Sequence, residues 1–286
     1  MSERIGVVGL GRMGAALAVK AAAEGFETTG WTRSGGDAAA ADAAGYALVP
    51  TLEDAAAAAD ILMLSLFDDD AVTQVLTTLA GTDLTGKLIV ETSTVSPEIV
   101  RAHADAIEAA GGRLIDAPIS GGPEMVLDGT MGLFIGGDPS DAARFIKVAD
   151  RLSNRVAHIG PLGSGIAAKI VNNIALAGAF AAAVDSMVLG KAMGLEYETM
   201  MAFLEKSPGT SPKFKSRVPG KLGKDDTVGF AIEAGVKDSR IFLGEGARNG
   251  VDLPAMAQMS RYFDQCMEAG LGDRDVAVIP RLVLGE

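Results

Sequence analysis

The chain has 286 residues, of which 48% are hydrophobic, and a formal net charge of −12 at neutral pH. Its length and apolar content allow a sizeable core and exclude global disorder, and its acidic balance excludes a broad nucleic-acid surface. A single cysteine, Cys266, excludes an internal disulfide, and with no clustered zinc ligands in the sequence we expect no metal site.

Short β-rich runs and helical patterns alternate through the first half of the chain. Helical patterns cover residues 13–24, 71–79 and 97–110, and the alanine-rich residues 38–44 and 55–59 are interpreted as plain helix surface. This alternation predicts a parallel sheet covered by helices on both faces. The predicted strands are residues 4–10, 27–31, 47–49, 61–67, 88–92, 114–119, 132–135 and 156–159.

The run VVGLGRMG places three glycines in the spacing G-x-G-x-x-G between the first predicted strand and helix. In this context the first glycine permits a tight turn, the second lets a pyrophosphate approach the backbone, and the third lets helix and strand pack closely. The alternative is a glycine-rich turn in an unrelated α/β domain. The residues expected at a nicotinamide cofactor here are Gly9, Leu10, Gly11, Arg12, Met13 and Gly14.

The second half shows helical periodicity and almost no strand signal after Gly163. The predicted fold class is therefore α/β, with an N-terminal Rossmann domain over residues 1–162 and an all-helical domain over residues 163–286. The apolar run at 166–189 is interrupted by charged and amide side chains, so we predict a buried helix of a soluble protein that does not bind a membrane. The start of the chain lacks a signal-peptide pattern, and we expect a cytoplasmic location.

The end of the second predicted strand bears on which cofactor binds. NAD-binding domains usually carry an acid there for the ribose 2′-hydroxyl, whereas this chain has Thr32, Arg33 and Ser34. An arginine beside hydroxyls suits a 2′-phosphate, so we expect NADP(H) to be preferred, with NAD(H) possible. Asp37 lies close enough to complicate this preference, and Arg33 also fits an ordinary solvated surface arginine.

Hydride transfer to a carbonyl needs a proton donor near the developing alkoxide. His103 and His158 follow no motif, no tyrosine has a lysine four residues later, and Cys266 has no histidine nearby in sequence. Lys169 remains, and burial would favour its neutral form. Asn173 shares its helical face and Asn172 lies partly on that side, although a snorkelling lysine with two helix-face amides fits the spacing as well.

Four motifs in order along the chain resemble the β-hydroxyacid dehydrogenase family. This family includes 3-hydroxyisobutyrate dehydrogenases and reductases of glyoxylate, succinic semialdehyde and tartronate semialdehyde. The resemblance implies a Rossmann domain, a helical C-terminal domain for substrate binding and dimerisation, and a site in the cleft between them. The motifs are GLGRMG, DAPISGG at 116–122, GSGIAAKIVNN at 163–173 and VKDSRIF at 236–242, with STVSPE from Ser93 as a further match.

The resemblance implies a role for each matching residue. Lys169 matches the catalytic lysine, Asn173 an asparagine that holds the substrate, and Lys237 a lysine near substrate and nicotinamide, beside Asp238. The loop that holds the substrate carboxylate is Ser120, Gly121 and Gly122. Ser120, Asn173 and Lys237 are counted as catalytic together with Lys169. The remaining residues implied at the cofactor are Leu66, Phe67 and Thr94.

Three stretches depart from the family pattern. One is residues 207–226, where Pro212 and Lys213 follow Ser211 in place of the aromatic residue expected there, with Phe214 as the candidate to replace it. Met125 and Val126 stand where the family has a Gly-Ala pair, beside Glu124, and three aspartates occupy residues 68–70. These changes leave the substrate open.

We therefore predict an NADP-preferring, homodimeric oxidoreductase that interconverts a small β-hydroxyacid and its semialdehyde or keto acid. The alternatives are an imine reductase, although many of those carry aspartate or tyrosine at the position of Lys169, and a non-catalytic NADPH-binding module.

Overall fold

The computed structural model describes residues 3–218 and 228–285. The chain divides into two compact units, Met1–Lys169 and Ile170–Glu286. The first unit is an α/β domain and the second is built from helices. The predicted order of an N-terminal Rossmann domain and a helical C-terminal domain is confirmed.

The first unit is organised around one sheet with strand order β3-β2-β1-β4-β5-β6-β8-β7, and β9 pairs with β8. Strands β1 to β6 are parallel, as predicted, but β8 is antiparallel to both β6 and β7. The predicted strand 114–119 is two strands, because Pro118 between them has no N–H for a ladder. The strands are β1 (Ile5–Val8), β2 (Thr28–Trp31), β3 (Ala47–Leu48), β4 (Ile61–Leu64), β5 (Leu88–Glu91), β6 (Arg113–Asp116), β7 (Ile119–Ser120), β8 (Gly132–Gly136) and β9 (Arg155–Gly160).

Helices cover this sheet, and its central strands are buried along their whole length. The core contains side chains of these strands, such as Val7 and Met63. It also contains side chains from the inner face of the first helix, such as Leu17. Two of the helices, α6 and α7, were not predicted, although each begins with a proline at its first turn. The helices of this unit are α1 (Arg12–Ala23), α2 (Ala38–Ala43), α3 (Leu52–Ala58), α4 (Asp69–Ala80), α5 (Pro97–Ala109), α6 (Pro123–Leu127) and α7 (Pro139–Leu152).

The second unit is helical throughout its described part, where the only β pairing is a single bridge between Ala231 and Asp275. The helices Ile232–Arg248 and Pro254–Glu268 pack closely at Gly235, where a Cβ would lie 2.5 Å from the ring of Phe263. The helices are α8 (Ser164–Ala192), which begins in the first unit, α9 (Tyr197–Leu204), α10 (Pro212–Arg217), α11 (Ile232–Arg248), α12 (Pro254–Glu268) and α13 (Ile279–Leu284), preceded by the 3₁₀ turn Val276–Val278.

Helix α8 is less buried than predicted. By length and composition alone this 29-residue helix could cross a membrane, and 33% of its most apolar window is buried inside the chain. Val171 and Leu189 are 70% and 62% exposed. The helix carries apolar residues on nearly all sides, but other parts of the chain cover only some of them. The prediction of a buried helix is therefore wrong for the exposed part of its surface, which includes Val171 and Leu189.

Candidate active site

The three glycines of the G-x-G-x-x-G motif differ in what surrounds them. Gly9 has φ +92°, and a Cβ there would lie 2.3 Å from the carbonyl oxygen of Ser65 at the end of β4. A Cβ on Gly14 would lie 1.8 Å from the carbonyl oxygen of Gly9, so the helix can approach the turn only without a side chain. A Cβ on Gly11 would meet no atom within 4 Å. The turn and the packing therefore need Gly9 and Gly14, whereas Gly11 leaves open space above the backbone.

This open space lies at the start of α1, whose first turn has no side-chain cap. Uncapped N–H groups at a helix N-terminus bind phosphate, and the position between β1 and β4 is the crevice where the strand order reverses. Arg12 is exposed there, whereas Leu10 and Met13 pack against the core of the sheet. The residues present therefore fit a dinucleotide.

Thr32, Arg33 and Ser34 follow the carboxyl end of β2, next to β1 in the sheet. Thr32 is half-buried, and Arg33 and Ser34 are exposed. The nearby acid, Asp37, is engaged in local structure, because one of its carboxylate oxygens accepts from the N–H groups of Ala39 and Ala40 at 2.9 and 3.1 Å. Asp37 is thus the N-terminal cap of α2.

The loops after β4 and β5 are joined, since the N–H of Leu66 donates to the hydroxyl of Ser93 at 2.8 Å. Phe67 is 55% exposed and Thr94 is half-buried. Two of the three unexpected aspartates have structural roles. Asp68 caps α4 by accepting from the N–H of Ala71, and Asp69 accepts from the N–H of Ser96 at the start of α5.

The loop from Ser120 to Gly122 follows the short strand β7. Gly121 has φ +146°, and a Cβ there would lie 3.1 Å from the Sδ of Met125. Met125 therefore lies directly over this loop, whereas Val126 is fully buried in the core of the first unit. Of the two bulkier residues that the sequence singled out, only Met125 borders the loop.

Lys169 lies on the second turn of α8 and is 7% exposed. Its Nζ donates to the carbonyl oxygen of Ile119 at 2.5 Å. Ile119 directly precedes Ser120, so the ammonium group is held at the edge of the loop that the resemblance implies for the substrate carboxylate. The structure thereby brings together Lys169 and Ser120, which are far apart in the sequence.

The other polar candidates belong to the second unit. Asn172 donates its amide Nδ2 to the amide oxygen of Asn173 at 3.1 Å. On α11, the Nζ of Lys237 lies 2.7 Å from Oδ1 of Asp238, and both side chains are largely buried. Lys237 and Asp238 thus form an ion pair between consecutive residues.

The competing proton donors have other roles. Nδ1 of His103 lies 2.8 Å from the carbonyl oxygen of Ile99, and Nε2 of His158 lies 3.1 Å from that of Gly137. Burial raises the pKa of the Cys266 thiol to about 11, which disfavours a thiolate. No group of three or more metal-ligating side chains occurs among residues 3–218 and 228–285.

Sequence reasoning missed Asp116, the first residue of the motif DAPISGG. Its side chain is fully buried at the end of β6, and its carboxylate accepts from the N–H groups of Gly163 and Ile166 at 2.6 and 2.7 Å. Burial raises the pKa of Asp116 to about 6, although these backbone hydrogen bonds oppose the shift. The available signal was an acid directly after two apolar strand residues, Leu114 and Ile115.

Two family models cover almost the whole chain. Residues 4–160 match the NAD binding domain of 6-phosphogluconate dehydrogenase. Residues 163–283 match the model described as NAD-binding of NADP-dependent 3-hydroxyisobutyrate dehydrogenase.

Similar proteins agree with these models. A 2-(hydroxymethyl)glutarate dehydrogenase of Eubacterium barkeri is 30% identical and covers 97% of this chain and 94% of its own. Glyoxylate/succinic semialdehyde reductase 1 of Arabidopsis thaliana is 26% identical, with 96% of each chain covered. The structure of 3-hydroxyisobutyrate dehydrogenase from Mycobacterium tuberculosis with L-serine has a TM-score of 0.86 at 26% identity, over 99% of each chain.

Imine reductases share the fold at lower similarity. The enzyme of Myxococcus stipitatus has a TM-score of 0.67 at 22% identity, over 98% of this chain and 99% of its own. The predicted resemblance is thus confirmed: the chain belongs to the β-hydroxyacid dehydrogenase family and is an NAD(P)-dependent oxidoreductase that acts on CH–OH groups.

Proposed function

We propose that this protein is an NADP-preferring enzyme that interconverts a small β-hydroxyacid and its semialdehyde or keto acid, with Lys169 as the proton donor and acceptor. One observation carries the proposal: the Nζ of Lys169, almost fully buried, bonds the carbonyl oxygen of Ile119 beside Ser120. A cation held at a loop with a hydroxyl and two glycine N–H groups suits a substrate that has both a carboxylate and a carbonyl.

Each part of the first unit has a distinct task in this proposal. The open backbone at Gly11 and the start of α1 hold the pyrophosphate, while Leu66, Phe67 and Thr94 border the cofactor. The hydroxyl of Ser120 and the N–H groups of Gly121 and Gly122 bind the substrate carboxylate. These residues fix the carbonyl beside Lys169, so that the reacting groups meet in one orientation.

Lys169 supplies the proton chemistry. When bound, the nicotinamide cofactor exchanges a hydride with the carbonyl carbon. In the reductive direction, Lys169 gives a proton from Nζ to the oxygen on which negative charge develops, and in the oxidative direction it takes that proton back. Its bond to Ile119 orients the ammonium group beforehand. Because the developing alkoxide attracts the ammonium more strongly than the neutral carbonyl does, Lys169 raises the chemical rate.

The preference for NADP rests on the end of β2. Arg33 and Ser34 are exposed where a 2′-phosphate would lie, and Arg33 can form a bidentate pair with it. Asp37, the acid that would otherwise suit a ribose hydroxyl, caps α2 instead. This arrangement favours NADP(H) and leaves NAD(H) as a weaker cofactor.

In the second unit, we assign Asn173 to the substrate oxygen and Lys237 to the substrate and nicotinamide, as the family resemblance implies. The ion pair with Asp238 restricts the Lys237 side chain and makes it a directional donor. We further propose that the exposed apolar face of α8, which includes Val171 and Leu189, is covered in a homodimer. Light scattering after size exclusion measures the assembly, and a monomer at micromolar concentration would contradict this assignment.

The test is reduction of a panel by NADPH and NADH: glyoxylate, succinic semialdehyde, methylmalonate semialdehyde, tartronate semialdehyde and one cyclic imine. Lys169→Ala should lower kcat by roughly 10²–10⁴-fold on the preferred acid, the usual contribution of a general acid. Lys191→Ala is the matched control, because Lys191 is also on α8 and its Nζ also donates to a backbone carbonyl, that of Leu284, at 2.6 Å.

Each outcome assigns the protein differently. Turnover of an acid aldehyde that is lost in Lys169→Ala and kept in Lys191→Ala supports the proposal. Turnover of the imine alone would make the protein an imine reductase. NADPH binding without turnover of any compound would indicate a binding module, and a Lys169→Ala variant with nearly full kcat would remove the assigned role of the lysine.

A further inference from the structure

The carboxylate of Asp116 fixes the start of helix α8 to the sheet. Asp116 ends β6, is 0% exposed, and uses each of its oxygens for a different N–H group. Oδ1 accepts from Gly163 at 2.6 Å, just before α8, and Oδ2 accepts from Ile166 at 2.7 Å, in its first turn. The N–H groups at the start of a helix have no partner within the helix. Here a strand from elsewhere in the chain accepts from two N–H groups at the start of α8, one just before the helix and one in its first turn.

Neighbouring glycines leave room for this carboxylate. A Cβ on Gly136 of β8 would lie 2.4 Å from Oδ1 of Asp116, and a Cβ on Gly165 would lie 2.8 Å from Oδ2. Side chains at either position would displace the carboxylate or the helix. The strand, the helix and the acid therefore fit together in one arrangement.

The same two segments meet again at the proposed active site. Lys169 lies one helical turn after Ile166, and its Nζ donates to Ile119, three residues after Asp116. Three hydrogen bonds thus join residues 116–119 to residues 163–169. Because α8 is rigid over one turn, its register at Ile166 sets where the lysine side chain begins.

We propose that Asp116 is a positioning residue for Lys169: it holds the first turn of α8 against β6 and so places the ammonium group beside the loop that begins at Ser120. This inference rests on the proposed function of Lys169. Asp116 does not contact the substrate or the cofactor in this role, and it acts only through the helix.

The charge on Asp116 makes the role dependent on pH. Burial raises the pKa of Asp116 to about 6, and Arg101 on α5 is the cation that most favours its charged form. The other charged groups near this junction are Glu91, its register partner on β5, Glu98, which pairs with Arg101, and Lys169. Protonation of Asp116 replaces an acceptor by a donor that faces backbone N–H groups. The reductive kcat should therefore fall as the pH decreases through about 6.

This direction is diagnostic. A lysine acting as general acid becomes more protonated at low pH, so by itself it predicts a reductive kcat that holds or rises there. A fall of kcat on the acid side thus reports a group other than Lys169.

The experiment compares Asp116→Asn with wild type and with Asp138→Asn. Asn has the same shape but turns an amide N–H₂ toward one of the two backbone N–H donors. Asp138 provides the control, because it also caps a helix of the first unit, α7, by accepting from the N–H of Ser140 at 2.8 Å. The probe is glyoxylate with NADPH, or the fastest compound of the panel above if glyoxylate is not reduced, between pH 5 and 8.

We expect Asp116→Asn to lower kcat by roughly 10–100-fold, the scale of a misplaced catalytic group, while the Kd for NADPH changes by less than about twofold. The pH profile of its remaining kcat should lack the decrease below about pH 6 that we expect for wild type and for Asp138→Asn. A variant with normal kcat, or a wild type with no acid limb, would overturn the proposal. So would a variant that no longer folds or binds NADPH, since that places Asp116 in folding alone. If Lys169→Ala keeps its turnover, the proposed function fails first, independently of Asp116.

Discussion

The two glycines that flank Arg12 and Met13 should respond to the same substitution in opposite ways. In Gly14→Ala, the new Cβ would lie 1.8 Å from the carbonyl oxygen of Gly9 and 3.2 Å from the Cβ of Ser65. The helix must then shift from the turn, and we expect a loss of several kcal/mol in the free energy of unfolding, on the scale of overpacking or worse.

Gly11→Ala should leave the fold intact. Its Cβ would meet no protein atom within 4 Å, and the backbone at φ −66° and ψ −170° is open to any residue. The reduced freedom of the unfolded chain adds about 0.4–1 kcal/mol of stability. Loss of a glycine at the helix N-cap takes away a similar amount, because alanine is a poor cap. The free energy of unfolding should therefore change by less than about 1 kcal/mol, whereas a methyl group in the pyrophosphate space should weaken NADPH binding at least tenfold, or about 1.4 kcal/mol.

Urea denaturation and fluorescence titration with NADPH measure the two quantities on the same samples. The expected pattern is a stable Gly11→Ala protein that binds NADPH poorly and a destabilised Gly14→Ala protein. A Gly11→Ala variant that binds NADPH as tightly as wild type would refute the assignment of this backbone to the pyrophosphate.

Three further predictions concern other parts of the first unit. Arg33→Gln should weaken NADPH binding about tenfold and leave NADH binding nearly unchanged, as titration with both cofactors will show. Met125→Ala should alter KM among the acids of the panel, because Met125 covers Gly121, whereas Val126→Ala should mainly lower the Tm, because Val126 is fully buried. For Asp116, pH-dependent urea denaturation should show that Asp116→Asn gains stability relative to wild type as the pH rises from about 4 to about 6, and an unchanged difference would contradict the raised pKa.

Some local rules were sufficient to predict the structure around them, although the prolines that begin α6 and α7 did not lead to their prediction. The glycine spacing predicted the turn, because only glycine fits next to the carbonyl oxygens of Ser65 and Gly9. Helix α5 was found nearly to the residue, since Ser96 and Pro97 mark its start. The role of Lys169 could be proposed by elimination of other donors, but the bond to Ile119 joins residues fifty apart and leaves no sign in local spacing.

Other features depend on tertiary pairing and were beyond the sequence. Strand β8 pairs antiparallel with β6 and β7. A short apolar run in the sequence predicts a strand but does not indicate whether that strand is parallel or antiparallel to its neighbours. Met125 and Val126 are neighbours in the chain, yet one covers the loop and the other is in the core, which depends on the orientation of the short helix α6. The structural role of the three aspartates at 68–70 likewise depends on the fold, because Asp68 and Asp69 accept hydrogen bonds from the N–H groups of Ala71 and Ser96.

Asp116 shows why stability and activity should have opposite pH dependences at this junction. The rise of its pKa from 3.8 to about 6 means that the folded state holds this proton more tightly than the unfolded state does. Its contribution to stability is therefore present below about pH 4 and is lost as the pH rises through about 6, by at most roughly 3 kcal/mol at 1.36 kcal/mol per pKa unit. The charged carboxylate thus costs stability in the pH range where two N–H groups of the α8 start need it as an acceptor. A buried apolar residue would avoid that cost but could not accept from the N–H groups at the start of the helix that carries Lys169. The proposed positioning role would therefore explain an acid at this position, whereas the stability of the fold would not.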